Sequence, residues 1–155
     1  MPLFSRAVFS FVRFAARRGL AESQAGESAK ENARRTGIRG ETFAYWYLRR
    51  HGYVFVARNY RILDDKGEID LVGYDGSVLA FVEVKTRSGT EEHPGQPEEA
   101  VTSGKRQHLE RMAKRFLAER RIRDASWRFD LVAIESRAGH APEVRLHKNA
   151  FAVKI

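Results

Sequence analysis

Residues 67–87 read GEIDLVGYDGSVLAFVEVKTR, and this stretch decides the fold. Asp75-Gly76 is a strong hairpin signal, flanked on both sides by runs rich in β-branched and aromatic residues. Two strands are expected, Glu68–Tyr74 and Ser77–Thr86, folded back on one another. A two-residue turn at Asp75-Gly76 would pair Tyr74 with Ser77, setting Asp70 opposite Phe81 and Glu68 opposite Glu83. Side chains alternate along a strand, and directly opposed residues share a face. Glu68, Asp70, Glu83 and Lys85 therefore project from one face. Asp70 and Glu83 become diagonal neighbours with Cα atoms roughly 7–8 Å apart, a spacing at which two carboxylates can share a cation. A one-residue change of register would destroy this arrangement.

Glu83 is embedded in Ala-Phe-Val-Glu-Val, the most apolar strand of the chain. A buried, unpaired carboxylate costs on the order of several kcal/mol, and a second one facing it adds repulsion. A divalent cation resolves both costs. Oxygen ligands without histidine favour Mg2+ or Mn2+ over zinc. Lys85 is placed to position an attacking water or to stabilise charge building on a phosphate. The competing reading is a buried salt bridge between Lys85 and one acid, which leaves the remaining carboxylate charge uncompensated.

Outward from this hairpin, Arg39–His51 reads as a helix with Phe43, Ala44 and Leu48 on its apolar face, ended by Gly52. Tyr53–Asn59 reads as a strand. The loop TRSGTEEHPGQP separates the hairpin from a helix over Glu98–Arg120, where Leu109, Met112, Ala113, Phe116 and Leu117 recur at helical spacing. Trp127–Ile134 and Glu143–His147 complete the strands. The order α-β-β-β-α-β-β describes an α/β domain, a small mixed sheet flanked by helices.

Two helical residues point toward the same chemistry. Glu41 shares a face with Ala44, Tyr45 and Leu48; it is either an inward ligand or an acid favoured by the first turn of a helix. Lys105 continues the Leu109–Met112–Phe116 face and either reaches the site or a phosphate, or snorkels to solvent. Arg111 and Lys114 are candidate phosphate contacts on the polar side of that helix, and Arg87, just after Lys85, is a better-placed one. Asp130, an acid among apolar neighbours, either approaches the site or accepts backbone hydrogen bonds. The five histidines show no metal-ligand spacing; His93, in the loop beside the strands, is expected on the surface.

The chain of 155 residues carries a net charge of +8, which suits a polyanionic partner. The charge is uneven: residues 1–40 hold eight basic and three acidic side chains, a net +5, leaving +3 for the rest. There is no cysteine, which excludes disulfides, thiolate zinc sites and cysteine nucleophiles and fits a cytoplasmic protein. No apolar run approaches the ~20 residues of a membrane span, so stable membrane insertion is not expected. Residues 1–36 read as a basic extension, disordered or partly helical, and residues 37–155 as the domain. The opening MPLFSRAVFSFVRFAARRGL also has the makings of an amphipathic helix on a membrane surface.

An Asp at one strand's start followed by Glu-x-Lys on the next resembles the PD-(D/E)xK nuclease signature. The wider pattern resembles one bacterial family within it, the uncharacterised YraN-type proteins. It does so through RGETFAYWYLRRHGYVFVARNYR, GEIDLVGYDG, VEVKTR, EEAV with the following Lys105, RFDLVAI and HKNAF. The resemblance covers about residues 39–151. It implies a restriction-endonuclease-like fold, similar to archaeal Holliday junction resolvases. It also implies a site of Glu41, Asp70, Glu83 and Lys85, with the Val84 carbonyl helping Asp70, Glu83 and Glu41 to bind metal. Ile69 stands where the broad signature has proline.

The expectation is an Mg2+- or Mn2+-dependent endonuclease acting on DNA, branched or damaged structures included. Dimerisation would let it address two strands, and a protein partner of unspecified kind is left open. The alternative is a non-catalytic DNA-binding accessory protein of repair or recombination that retains the fold. A third reading is a membrane-surface protein recruited by its N-terminus.

Overall fold

The computed structural model describes residues 2–17, 20, 24–63, 65–88, 101–137 and 139–151, with the side chains of Pro2 and Ser88 excepted. Along the chain run α1 (Pro2–Ala16), α2 (Ala29–Arg50), β1 (Val54–Tyr60), β2 (Ile69–Asp75), β3 (Val78–Ser88), α3 (Ser103–Glu119), β4 (Trp127–Ser136) and β5 (Glu143–Phe151). The strands form a five-stranded mixed sheet in the order β1-β2-β3-β4-β5. The expected α/β class and the succession from α2 onward match this architecture. Among the described residues no helix is long and apolar enough to cross a membrane.

The chain divides into two units, one of Met1–Gly52, Val84–Pro94 and Val132–Leu146, the other of Tyr53–Glu83, Gly95–Leu131 and His147–Ile155. In the first, α2 starts at Ala29, ten residues ahead of the expected Arg39. The cause is a capping box: Ser28 Oγ accepts from the Glu31 amide at 3.3 Å, and Glu31 Oε2 accepts from the Ser28 amide at 2.9 Å. One face of α2 buries Gly40, Phe43, Ala44 and Leu48. Helix α1 lies on α2 through Phe9, whose ring meets Phe43 at 5.4 Å and Tyr47 at 5.8 Å between centroids. Burial of that one ring stabilises the helix pair by roughly 1.5–3 kcal/mol. Gly40 allows a close approach: a Cβ there would stand 1.8 Å from the Oγ1 of Thr86 on β3, a hydroxyl that is buried without a hydrogen-bond partner.

In the second unit the core is built on β2, β3 and α3. Val72, Leu79 and Phe81 pack with Leu109, Met112, Ala113 and Phe116, the helical stripe expected from spacing. Phe81 is the hub, with ring centroids 5.7 Å from Phe116, 5.7 Å from Trp127 and 5.8 Å from Phe129. Helix α3 begins after Thr102, whose side chain accepts from the Lys105 amide at 3.3 Å. The expected start at Glu98, and His93, fall outside the described residues.

The hairpin register differs from the expected one. Asp75 pairs with Val78, Tyr74 with Leu79, Val72 with Phe81 and Leu71 with Val82. The central turn residues are thus Gly76 and Ser77, not Asp75 and Gly76. Gly76, at φ +61°, takes the first central position, where a type II′ turn requires glycine. The partner of every residue on β2 therefore moves two places along β3. A shift of two leaves each side chain on its original face, so the grouping of carboxylates on one face survives. What changes is the spacing.

Candidate metal centre

Carried one step beyond Leu71–Val82, the register sets Asp70 directly opposite Glu83 instead of diagonally. Directly opposed Cβ atoms on a sheet face are about 4.5–5.5 Å apart, closer than the expected diagonal. Both carboxylates are buried, Asp70 at 8% and Glu83 at 6% exposure. Glu68, which precedes β2, brings a carboxylate oxygen within 4.8 Å of one on Asp70. Glu68 is the residue the sequence reading under-used. It lies ahead of β2, and only the folded chain brings its carboxylate beside that of Asp70.

The cations around these acids are specific. Arg61 holds Glu68, with Nε donating to Oε2 at 2.8 Å. Lys105 Nζ donates to Glu83 Oε1. Lys105 thus turns inward to Glu83 and does not extend its ammonium to solvent alone. Glu83 therefore has an ion-pair partner on α3, a residue far from it in sequence. Lys85 lies two residues past Glu83 on β3, on the same strand face by alternation, and is half-buried. Val84, between them, is buried with its side chain on the opposite face.

Glu41 sits well inside α2, half-buried beside Gly40. Because the helix starts at Ala29, the first-turn explanation for this acid no longer applies. Arg87, two further along β3 from Lys85, is half-buried. The other two candidate phosphate contacts already have acidic partners: Arg111 lies 3.3 Å from Asp65, and Lys114 lies 2.7 Å from Glu110. Such exposed pairs are worth ~0–1 kcal/mol and yield readily to a phosphate. Helix α3 also closes over the start of β2. Gly67, at φ +118°, has no room for a Cβ, which would stand 2.6 Å from His108 Nε2.

Asp130 is resolved as a structural acid. It is fully buried and accepts from Tyr53 Oη at 2.9 Å, from Arg128 Nε at 2.8 Å and from the Asn149 amide at 2.9 Å. Arg128 also donates to Asp75, which receives Lys148 at 2.6 Å. Hydrogen bonds from Lys148 and Arg128 hold the Asp75 carboxyl below the usual carboxylate range. Burial, the Asp130 charge and the hydrogen bond to it push the Tyr53 phenol up.

The donors that Glu68 and Asp70 bring together are hard carboxylate oxygens. They fit a small divalent cation such as Mg2+ or Mn2+ and not a thiolate- or imidazole-seeking metal.

Comparison with known sequences gives a family. The model of "Uncharacterised protein family UPF0102" matches residues 40–134. A UPF0102 protein of Koribacter versatilis is 41% identical over 117 residues, 76% of this chain and 79% of its own. One from Geobacter metallireducens is 44% identical over 115 residues, covering 74% and 90%. One from Symbiobacterium thermophilum is 44% identical over 119 residues, covering 77% and 98%. The matched span contains the whole β2–β3 hairpin and Lys105, and it begins after α1.

Proposed function

This chain belongs to the UPF0102 family, and from that premise we propose that it is a divalent-metal-dependent endonuclease hydrolysing DNA phosphodiesters. The observation that carries the reading is the strand pair that sets Asp70 opposite Glu83 with Lys85 on the same face as Glu83. That pattern resembles the PD-(D/E)xK arrangement, and both that assignment and the restriction-endonuclease-like fold are part of the proposal. Branched DNA is the proposed substrate, and two copies would serve two strands.

Asp70 and Glu83 would hold the cation, with Glu68 beside Asp70 and the Val84 carbonyl as a neutral donor. The family pattern adds Glu41 to this set. Bound there, Mg2+ or Mn2+ supplies Lewis-acid stabilisation of the charged phosphate. Lys85 orients the attacking water and offsets the negative charge that grows on the phosphate oxygens. The water oxygen bonds to phosphorus, the ester P–O bond breaks, and the departing oxygen takes up a proton as the water gives one up. Arg87, Lys105, Arg111 and Lys114 bind neighbouring phosphates, for which Lys105 must exchange its Glu83 partner.

The test is a cleavage panel of duplex, single-stranded, flap and four-way-junction DNA with Mg2+ or Mn2+. Wild type is set beside Asp70→Ala, Glu83→Ala and Lys85→Ala. Metal-dependent cutting by wild type that each variant loses is the expected result. Cutting by Asp70→Ala or Glu83→Ala at the wild-type rate would sink the mechanism.

A second reading is favoured by one observation: Lys105 already neutralises Glu83 without a metal. On that reading the chain is a DNA-binding accessory protein with a vestigial site. It predicts salt-sensitive binding to DNA and no cleavage with any metal.

A further inference from the structure

Helix α1 has two apolar faces, and α2 uses only one of them. Ser5, Phe9 and Ala16 are buried, and Phe9 is the ring that meets Phe43 and Tyr47. On the opposite side Leu3 is 79%, Phe4 65%, Phe11 72% and Phe14 64% exposed. At 3.6 residues per turn these four fall in one stripe roughly 100° wide, facing away from Phe9. Three large aromatic rings on a single solvent-facing stripe need a partner.

The charges beside the stripe identify the chemistry of that partner. Arg6, Arg13 and Arg17 are exposed and lie together along one edge of it, and no acidic residue precedes Glu22. A second copy docked stripe to stripe would bring six arginines together with no carboxylate in either helix to offset them. A nucleic acid would satisfy the arginines and leave the rings in water. An anionic lipid bilayer satisfies both, with the rings at the acyl boundary and the guanidinium groups among the headgroup phosphates. Phe9 fixes the helix with this stripe outward.

We propose that α1 is a membrane-surface anchor that docks the protein, lying flat, on bilayers containing anionic phospholipid. The family match begins at residue 40, beyond α1, so the anchor is an addition to the matched region and is independent of the chemistry proposed for the hairpin.

The full chain is sedimented with vesicles of phosphatidylcholine alone or mixed with phosphatidylglycerol. Wild type should sediment with the mixed vesicles and stay in solution with phosphatidylcholine alone. Joint replacement Phe4→Ser, Phe11→Ser and Phe14→Ser should weaken binding by at least ~100-fold. Joint replacement of Arg6, Arg13 and Arg17 by Gln should weaken it roughly five-fold per arginine lost. Circular dichroism melts of both variants should match wild type. As a readout that does not depend on a loss of binding, Phe11→Trp should shift its emission to shorter wavelength on adding the mixed vesicles. Wild type that ignores the mixed vesicles overturns the proposal. So does a serine variant that sediments as well as wild type, which would mean a purely ionic surface for any polyanion. A wild-type dimer that the serine variant dissociates would assign the stripe to self-association instead.

Discussion

Lys105, in the first turn of α3, donates to the Oε1 of Glu83, in the middle of β3. A cation is misplaced at a helix N-terminus, where the backbone dipole already presents positive charge. What holds it there is Glu83, a carboxylate 6% exposed among apolar neighbours. The pair makes each residue tolerable to the fold, and it gives any cation arriving at Glu83 a competitor.

Lys105→Met should therefore separate the structural role of this pair from metal binding. Without metal the variant should lose about 1–3 kcal/mol, less than the ~3–5 kcal/mol of a fully buried pair because Lys105 is partly exposed. Added Mn2+ should then raise the melting temperature of the variant more than that of wild type, since the ion replaces the missing charge. An equal response in both proteins would count against Glu83 as a ligand.

Asp130→Ala should be among the most damaging single changes. It takes from the Arg128 guanidinium the acceptor of its Nε, leaving it Asp75, and removes acceptors from Tyr53 and the Asn149 amide. The expected loss is ~3–5 kcal/mol, a fall in melting temperature on the order of 10 °C. Replacing Arg128 by Met together with Asp130 by Leu should recover much of it, and thermal melts of the three proteins decide.

The two central glycines of α2 should respond in opposite directions. At Gly40 an added methyl collides with Thr86, so Gly40→Ala should cost about 1–3 kcal/mol by overpacking. At Gly37 a Cβ meets nothing within 4 Å, so Gly37→Ala should stabilise by about 0.5–1 kcal/mol through helix propensity. Denaturant titrations that moved both variants the same way would refute the close approach at Gly40.

Alkali should unfold the second unit in a defined window. Burial and the hydrogen bond to Glu119 push the Tyr60 phenol up to about 12, above its ordinary value near 10, and Tyr53 is displaced further by burial and the Asp130 charge. A group whose folded pKa is raised contributes stability that is complete below its unfolded pKa and is lost as pH climbs through the folded one. Stability should thus be constant up to pH ~10 and fall between ~10 and ~12, with Tyr60→Phe flattening part of that fall. Melting temperature against pH, with tyrosine absorbance recorded alongside, measures it.

Most of the strands and the α3 stripe were legible because alternation and helical spacing are local properties, written in Leu109, Met112 and Phe116 or in Val82 and Val84. The face shared by Asp70 and Glu83 was legible for the same reason. Their direct opposition was not. It depends on which two residues form the turn, and Asp-Gly and Gly-Ser are both acceptable turn pairs. The early start of α2 escaped notice because Ser28 and Glu31 lie in a polar stretch, where only the capping pattern marks a helix. The role of Asp130 was not legible, because only Arg128 lies near it in sequence: Tyr53 comes from just ahead of β1 and Asn149 from β5.

The hairpin tip carries a consequence for how such chains can vary in length. Insertion or deletion of two residues between Asp75 and Val78 would re-pair the strands and leave Asp70 and Glu83 on a common side. A change of one with a two-residue turn retained would send one of them to the far side, out of reach of Lys105, unless a three-residue loop absorbed it. Related proteins that keep both this chemistry and the two-residue turn should differ in hairpin length by even numbers, a parity rule that can be read from sequences alone.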